Sequence, residues 1–426
     1  LMDTVDKKGK KVTPIIKEYD DMSKSTNVNI VIKFNENLAQ IHIELTNACN
    51  AACPMCVRFH NNSPLIRPDM QTGQITLELF KKYFPDDILN QTRLILFCGV
   101  HGDPGVARDT YEICKYIGEA SPNTKIMMNT NGGMRTPEWW DKMGALFAKY
   151  KDREWLMTFS VDGLEDTNHI YRRNVVWEKL EANILAFTKH NPISAWDFLI
   201  FKHNEHQIEE ARQKCKDLNI NEFIPKKALG VDNGVALQRM PALTKDGELD
   251  YWIDAPENPK NRNLENPAGP VQQQHYPFNR DDYFKMKKEK SSNNYQDEVE
   301  RVYDGIAPDT KYDRMKITCK SKTFFGTEIF VDNFGRVMPC CYIGTHLNGT
   351  YSEPKSLQLH KAMNDYGWDK FDLNLHSLRE ILTEGHLNRV FADTWDKKRV
   401  KKGKMAFCAD TCGQCSSIDK IFTHEE

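Results

Sequence analysis

The chain has 426 residues, 40% of them hydrophobic and 28% charged, with a formal net charge of −2. That length allows roughly two or three domains with a sizeable core, and the near-neutral balance argues against nucleic acid or a membrane surface as partner. No apolar run reaches the length of a membrane span and the N-terminus shows no signal-peptide stretch, so a cytoplasmic location is expected. Twelve cysteines in such a chain point to metal ligation, because a reducing compartment keeps thiols free of disulfides.

Residues 1–37 are polar and irregular and read as an extension. A β/α alternation follows over 38–230. "QIHIELT" (40–46) alternates Ile41, Ile43 and Leu45 with polar neighbours, and "RLILF" (93–97), "KIMMN" (125–129), "WLMTFSV" (155–161), "WDFLIF" (196–201) and the weaker "EFIP" (222–225) are further short strands. Between them, Ile75, Leu79 and Tyr83 mark one helix. Trp139, Met143, Leu146, Phe147 and Tyr150 mark another, with Thr136 as N-cap and Pro137 in its first turn. Strands separated by helices predict a parallel sheet, open or closed as a barrel, whose functional groups sit where strands end. Residues 231–315 read as a polar connection rich in Pro and Asn, and 316–426 as a small second α+β domain. There "TEIFVDNFGRVMPCC" predicts a hairpin turning between Asp332 and Gly335.

Cys49, Cys53 and Cys56 follow the first predicted strand with the spacing C-x3-C-x2-C. A structural zinc site normally closes with four protein ligands, whereas an iron–sulfur cubane held by three thiolates leaves one iron open. With Asn50 after the first cysteine, the motif resembles the radical SAM signature. Met55 stands where that family usually has an aromatic residue. The resemblance implies a partial (β/α)6 TIM-like barrel and a 4Fe–4S cluster whose open iron is chelated by S-adenosylmethionine. It also implies reductive cleavage to a 5′-deoxyadenosyl radical that abstracts hydrogen from a substrate. "GVHGDP" (99–104) resembles the family's glycine-rich segment near the methionyl amine, through Gly102 and with Asp103 in place of the usual Glu. "FSVDG" (159–163) is similar to the segment that uses Ser160 and Asp162 near the ribose and methionyl groups. Arg172 falls where relatives place an arginine on the methionyl carboxylate, and Asn204 matches a polar contact after the fifth strand.

Cys319, Gly335 and Cys340 form C-x15-G-x4-C, and Cys408, Cys412 and Cys415 follow later. This pattern resembles the SPASM or twitch extension, which binds auxiliary 4Fe–4S clusters. Six late cysteines cannot give two clusters four thiolates each, so one auxiliary cluster is expected on Cys319, Cys340, Cys412 and either Cys408 or Cys415. A zinc site is the alternative there. Cys341 stands where sulfatase-maturing relatives carry an aspartate base, and Cys98, at a strand end, could reach the active cavity, although a buried apolar thiol is the favoured expectation. The family mostly modifies peptides or proteins, and some members oxidise or epimerise small alcohols or sugars. A flavodoxin- or ferredoxin-type reductant is the implied partner, with the basic run 397–404 as a candidate docking surface.

Overall fold

The structure, a computed structural model, describes residues 38–60, 62–68, 70–228, 239–262, 312–319, 327–348 and 354–413. Six strands carry the first half: β1 (Leu38–Ile43), β2 (Leu94–Cys98), β3 (Lys125–Thr130), β4 (Leu156–Ser160), β5 (Ile193–Ile200) and β6 (Glu222–Lys227). They pair in parallel and in sequence order. Because β-α-β crossovers are right-handed, a sheet that always advances in one direction receives all its helices on one face. Its other face becomes an inner wall. The fold is α/β, an open relative of the TIM barrel, with no closure of the sheet among the described residues.

The strand sequences follow this division. Ile95 and Phe97 of β2, Ile126 and Met128 of β3, and Met157 and Phe159 of β4 are fully buried. Their alternates Leu96, Cys98, Met127, Asn129 and Ser160 are half-buried, as expected of side chains on an open inner face. The helices Pro137–Lys149 and Trp177–Thr188 pack closely behind β4, where the rings of Trp140, Phe147, Phe159 and Phe187 meet edge to face or tilted, with centroids 5.5–6.0 Å apart. Thr136 takes the extended N-cap conformation before Pro137, though its side chain makes no cap hydrogen bond.

Beyond β6 the chain forms the hairpin β7 (Arg239–Leu243) and β8 (Leu249–Asp254), within the segment the sequence reads as connection. The predicted late hairpin is present as β9 (Thr327–Val331) and β10 (Val337–Met338). Asp332 closes its turn, accepting from the backbone N–H of Phe334 at 3.0 Å and of Arg336 at 2.9 Å. This hairpin extends the main sheet, since β9 lies parallel to β1 with Ile41 opposite Ile329 and Ile43 opposite Val331. Helices Cys341–Leu347, Pro354–Tyr366, Leu378–Thr383 and Ala406–Cys412 follow. Among the described residues no helix is long and apolar enough to cross a membrane.

Gly144 allows the two helices behind β4 to approach, since a Cβ there would stand 2.1 Å from the Phe187 carbonyl oxygen. A backbone oxygen cannot rotate away. Gly144→Ala is therefore expected to destabilise by about 1–3 kcal/mol, despite alanine's better helix propensity. A gain of stability in denaturant unfolding would show that the helices separate freely.

Candidate active site at the strand ends

The cysteine loop leaves the C-terminal end of β1 and is held by short-range turns, Cys56 N–H to Cys53 O and Phe59 N–H to Cys56 O, both 3.0 Å. Cys53 is buried, and Cys49 and Cys56 are half-buried. An N–H donor meets each sulfur. Asn131 Nδ2 donates to Cys49 Sγ at 3.4 Å and Arg172 Nη1 to Cys53 Sγ at 3.7 Å. The backbone N–H of Arg58 serves Cys56. Burial, with Asp103 nearby, pushes the Cys49 thiol up to about 12; burial pushes Cys53 up to about 11 against the pull of Arg172. As free thiols these groups stay protonated, and only a bound metal would hold them as thiolates.

The 99–105 segment after β2 lies directly on this loop. Gly102 is required there, because a Cβ would stand 1.9 Å from the Thr46 carbonyl oxygen. Asp103 N–H donates to Ala48 O at 2.9 Å. The Asp103 carboxylate is buried and takes four donors: Gly105 N–H and Thr130 Oγ1 on one oxygen, both 2.8 Å, and Asn131 N–H and Nδ2 on the other, both 2.7 Å. Its acceptor capacity is thus spent within the chain. Asn131, which no sequence motif marks, shares the two hydrogens of its Nδ2 among Asp103, Asn50 Oδ1 at 2.9 Å and, at the longest distance, Cys49 Sγ.

At the end of β4, Ser160 is half-buried on the inner face opposite Asp197 of β5. Asp162 is fully buried and accepts Arg172 Nε at 2.6 Å and Leu199 N–H at 2.7 Å. The short helix Asn168–Tyr171 presents Arg172 at its C-terminus, and Asn168 Oδ1 accepts Asp162 N–H at 3.0 Å. Asn204 is buried below, donating to Asp162 O at 2.8 Å and Leu199 O at 2.9 Å and accepting from Phe201 N–H at 2.7 Å. Arg172 thereby joins Asp162 to the cysteine loop, while Asn204 shapes the turn beneath it.

Two further elements complete the mouth. The hairpin β7–β8 roofs the cysteine loop through Leu243 N–H to Asn62 O at 3.2 Å and Tyr251 Oη to Ile170 O at 2.6 Å. Arg173 donates to Leu243 O at 2.9 Å and pairs with Asp250. Glu44, at the end of β1, is buried with its carboxylate accepting the backbone N–H groups of Val100 and of His101, the latter at 3.3 Å. Burial raises this carboxyl to about 8 in spite of those donors. A charged residue on the inward face of "IELT" was the one signal for it. Cys98, expected to be buried and apolar, is half-buried on the inner face, where it accepts Asn129 Nδ2 at 3.3 Å.

The late cysteines form a second site. Thr318 N–H donates to Cys412 O at 3.0 Å, and the bridge between Ile317 and Gly413 brings the two segments together. Cys319, Cys340, Cys408 and Cys412 line one small cavity of about 20 Å³, otherwise walled by apolar side chains such as Ile343, Phe391 and Phe407. The indole Nε1 of Trp395, on its wall, is buried and meets no nitrogen or oxygen acceptor. It faces Cys408, whose thiol burial pushes up to about 12 and the indole draws back down. Cys415 lies outside the described residues. Among those described, no three His, Cys, Asp or Glu side chains converge as a single bound ion requires; the four thiols surround a space instead. Lys397, Lys398, Arg399, Lys401 and Lys402 are exposed nearby, whereas Lys404 is buried, its Nζ donating to Met315 O and, at 3.0 Å, to Lys397 O.

No protein-family model and no curated protein matches the sequence. Among solved structures, the chain is similar to Streptococcus suis SuiB bound to S-adenosylmethionine, with 12% identity and a TM-score of 0.39, covering 72% of this chain and 61% of that one. It is also similar to native anSMEcpe with bound AdoMet, at 15% identity and TM-score 0.42, over 88% of this chain and 89% of that one. A third is BtrN in complex with AdoMet and 2-DOIA, at 12% identity and TM-score 0.37, over 88% and 93%. The chain thus spans less than two thirds of the length of SuiB.

Two measurements test this geometry. Arg172→Ala strands a buried carboxylate, so a loss of about 3–5 kcal/mol is expected, and adding Asp162→Ala should recover part of it; strictly additive losses would show that the two do not act as a pair. Glu44 is raised from 4.5 to about 8 on folding, so the unfolded chain ionises first and stability falls as pH rises through that interval. The iron-free Glu44→Gln protein should show a shallower decline of melting temperature there, and parallel profiles would contradict the shift.

Proposed function

We propose that this chain is a radical SAM enzyme acting on a peptide or protein segment. The observation that carries the reading is the C-x3-C-x2-C loop at the C-terminal end of β1, with an N–H donor at every sulfur. N–H donors to sulfur suit thiolates that hold a cluster. Cys49, Cys53 and Cys56 would bind a 4Fe–4S cluster. With S-adenosylmethionine bound, that cluster supplies one-electron reductive cleavage to a 5′-deoxyadenosyl radical, which takes hydrogen from the substrate.

The chain's own groups position these partners. The spent carboxylate of Asp103 fixes the backbone of Gly102 beside the loop, and Glu44 holds the N–H groups of Val100 and His101, so Ser160, half-buried on the inner face, is left to meet the cofactor. Arg172 is oriented by Asp162, which leaves one edge of its guanidinium for the methionyl carboxylate. The inner face of the open sheet, lined by Cys98, Asn129 and Asp197, is accessible to an extended substrate.

The second site fits an auxiliary 4Fe–4S cluster. Four thiols around an apolar cavity match a cubane's donor set, and the Trp395 N–H beside Cys408 is a ready donor to sulfur. In this reading Cys408 is the fourth ligand beside Cys319, Cys340 and Cys412. The exposed lysines and Arg399 at 397–402 would receive an acidic flavodoxin- or ferredoxin-type reductant.

Anaerobically reconstituted protein is expected to hold about eight irons per chain, from two four-iron clusters. A Cys49, Cys53, Cys56 triple alanine variant should keep about half and form no 5′-deoxyadenosine from S-adenosylmethionine under reducing conditions. Undiminished cleavage by that variant ends the radical SAM reading. An iron content that Cys408→Ala leaves unchanged ends the assignment of that ligand.

A further inference from the structure

Beside the cysteine loop, a cluster of basic side chains keeps hydrogen-bond donors that no acceptor among the described residues answers. Arg58 is only 3% exposed, and both its Nε and Nη1 are buried without a hydrogen-bond partner. His101 is 2% exposed, and its Nε2 is likewise without a partner. These groups share one neighbourhood: Arg67 N–H donates to Arg58 O at 2.9 Å, and Arg67 and Arg336 both donate to Asn348. Burial, then Arg67, Arg58 and Arg336, lowers the pKa of the His101 ring, which stays neutral. Arg67 and Arg336 are anchored: Arg67 donates to Val57 O at 2.9 Å and to Asn348 O, and Arg336 donates to Asp332 at 2.7 Å and to Asn348 Oδ1.

Among the described residues, the carboxylates in this neighbourhood are engaged elsewhere, and Arg58 otherwise bears only on the Cys49 and Cys56 sulfurs. Asp332 holds Arg336 and closes the β9–β10 turn. Glu44 has its oxygens on backbone N–H groups of the 100–101 segment, and its raised value leaves it largely uncharged at neutral pH. A buried guanidinium with idle donors is costly, and native proteins seldom keep one without a ligand.

We propose that Arg58 and His101, backed by Arg67 and Arg336, form a binding site for a carboxylate or phosphate group. The guanidinium of Arg58 offers its idle N–H donors to such a group, and the neutral imidazole offers a further one in the tautomer that carries its hydrogen on Nε2. Arg67 and Arg336, held by other partners, add positive potential. Arg58 follows Cys56 by two residues and His101 lies in the segment that covers the cysteine loop, so the anion would sit beside the reacting centre. That it belongs to the substrate rests on the function proposed above; that the site takes an anion does not.

The test is calorimetric titration of the reconstituted protein, with S-adenosylmethionine present and no reductant, using inorganic phosphate in one arm and acetate in the other. Saturable one-site binding is expected in at least one arm, and the arm that responds identifies the group. Arg58→Gln and His101→Leu should each weaken it about tenfold or more, while Lys398→Gln, on the exposed basic surface, should not. Because Arg58 adjoins a cluster ligand, His101→Leu decides the matter should Arg58→Gln lose iron. Absence of saturable binding in both arms, equal weakening by Lys398→Gln, or full binding by His101→Leu would overturn the site. A protein that binds the anion yet never forms 5′-deoxyadenosine keeps this site and loses the enzymatic reading. One that cleaves S-adenosylmethionine without binding either anion does the reverse.

Discussion

The carboxylate of Asp103 is the constraint on which the mouth of this sheet depends. A buried charge is tolerated only when its lone pairs are filled, and here four donors from Gly105, Thr130 and Asn131 fill them. Meeting that demand ties the loop after β2 to the end of β3. Asp103's own N–H ties the same loop to Ala48, after β1. Three strand ends are thereby fixed by one residue. Asn131 then carries the constraint onward to Asn50 and the Cys49 sulfur. An aspartate suits this position because the shorter side chain stays against its own loop.

The order of the strands explains why the rest of the chemistry faces one way. Six parallel strands advancing in sequence order keep every crossover helix on one side. Core-forming side chains are spent there, in the layer of Trp140, Phe147, Phe159 and Phe187. The inner face is left to residues chosen for other reasons, among them Cys98, Asn129, Ser160 and Asp197. On the far side of β1, β9 extends the same sheet, and antiparallel β10 turns the chain back before it reaches Cys340. One continuous sheet therefore links the two thiol sets, the first leaving the C-terminal end of β1 and Cys340 of the second leaving antiparallel β10 toward the opposite end.

Much of this was legible in the sequence because it is encoded locally. The six strands and the Asp332 turn follow from short alternating patterns and turn residues that need no distant partner. The pairing of β9 with β1 is not local, since Ile329 finds Ile41 across most of the chain. The hairpin β7–β8 was hidden by the polar composition of its surroundings, although Met240, Ala242, Leu243 and Ile253 are its buried residues. At the site, cysteine spacing is a strong signal because few chemistries need it. Glu44 left only its place on the inward face of "IELT", and Asn131 and Arg58 left none, for a polar residue near a strand end reads the same whether it is solvated or buried. Only the three-dimensional burial separates those cases.

The two thiol sets differ in how the chain compensates negative charge, and this difference bears on what each would do. The first has N–H donors at Cys49, Cys53 and Cys56, one of them from the cationic Arg172, and Arg58 close by. The second lies in an apolar cavity of aromatic and aliphatic side chains, where the neutral Trp395 indole is the donor at hand. Adding an electron increases negative charge, so it is opposed by an apolar surround and favoured by nearby cations and N–H dipoles. With clusters at both sites as proposed, the first would accept an electron more readily than its exposure alone suggests, and the second would hold one less readily. The difference comes from the chain's own groups: a guanidinium and amide N–H donors at one set, and ring and aliphatic carbon at the other.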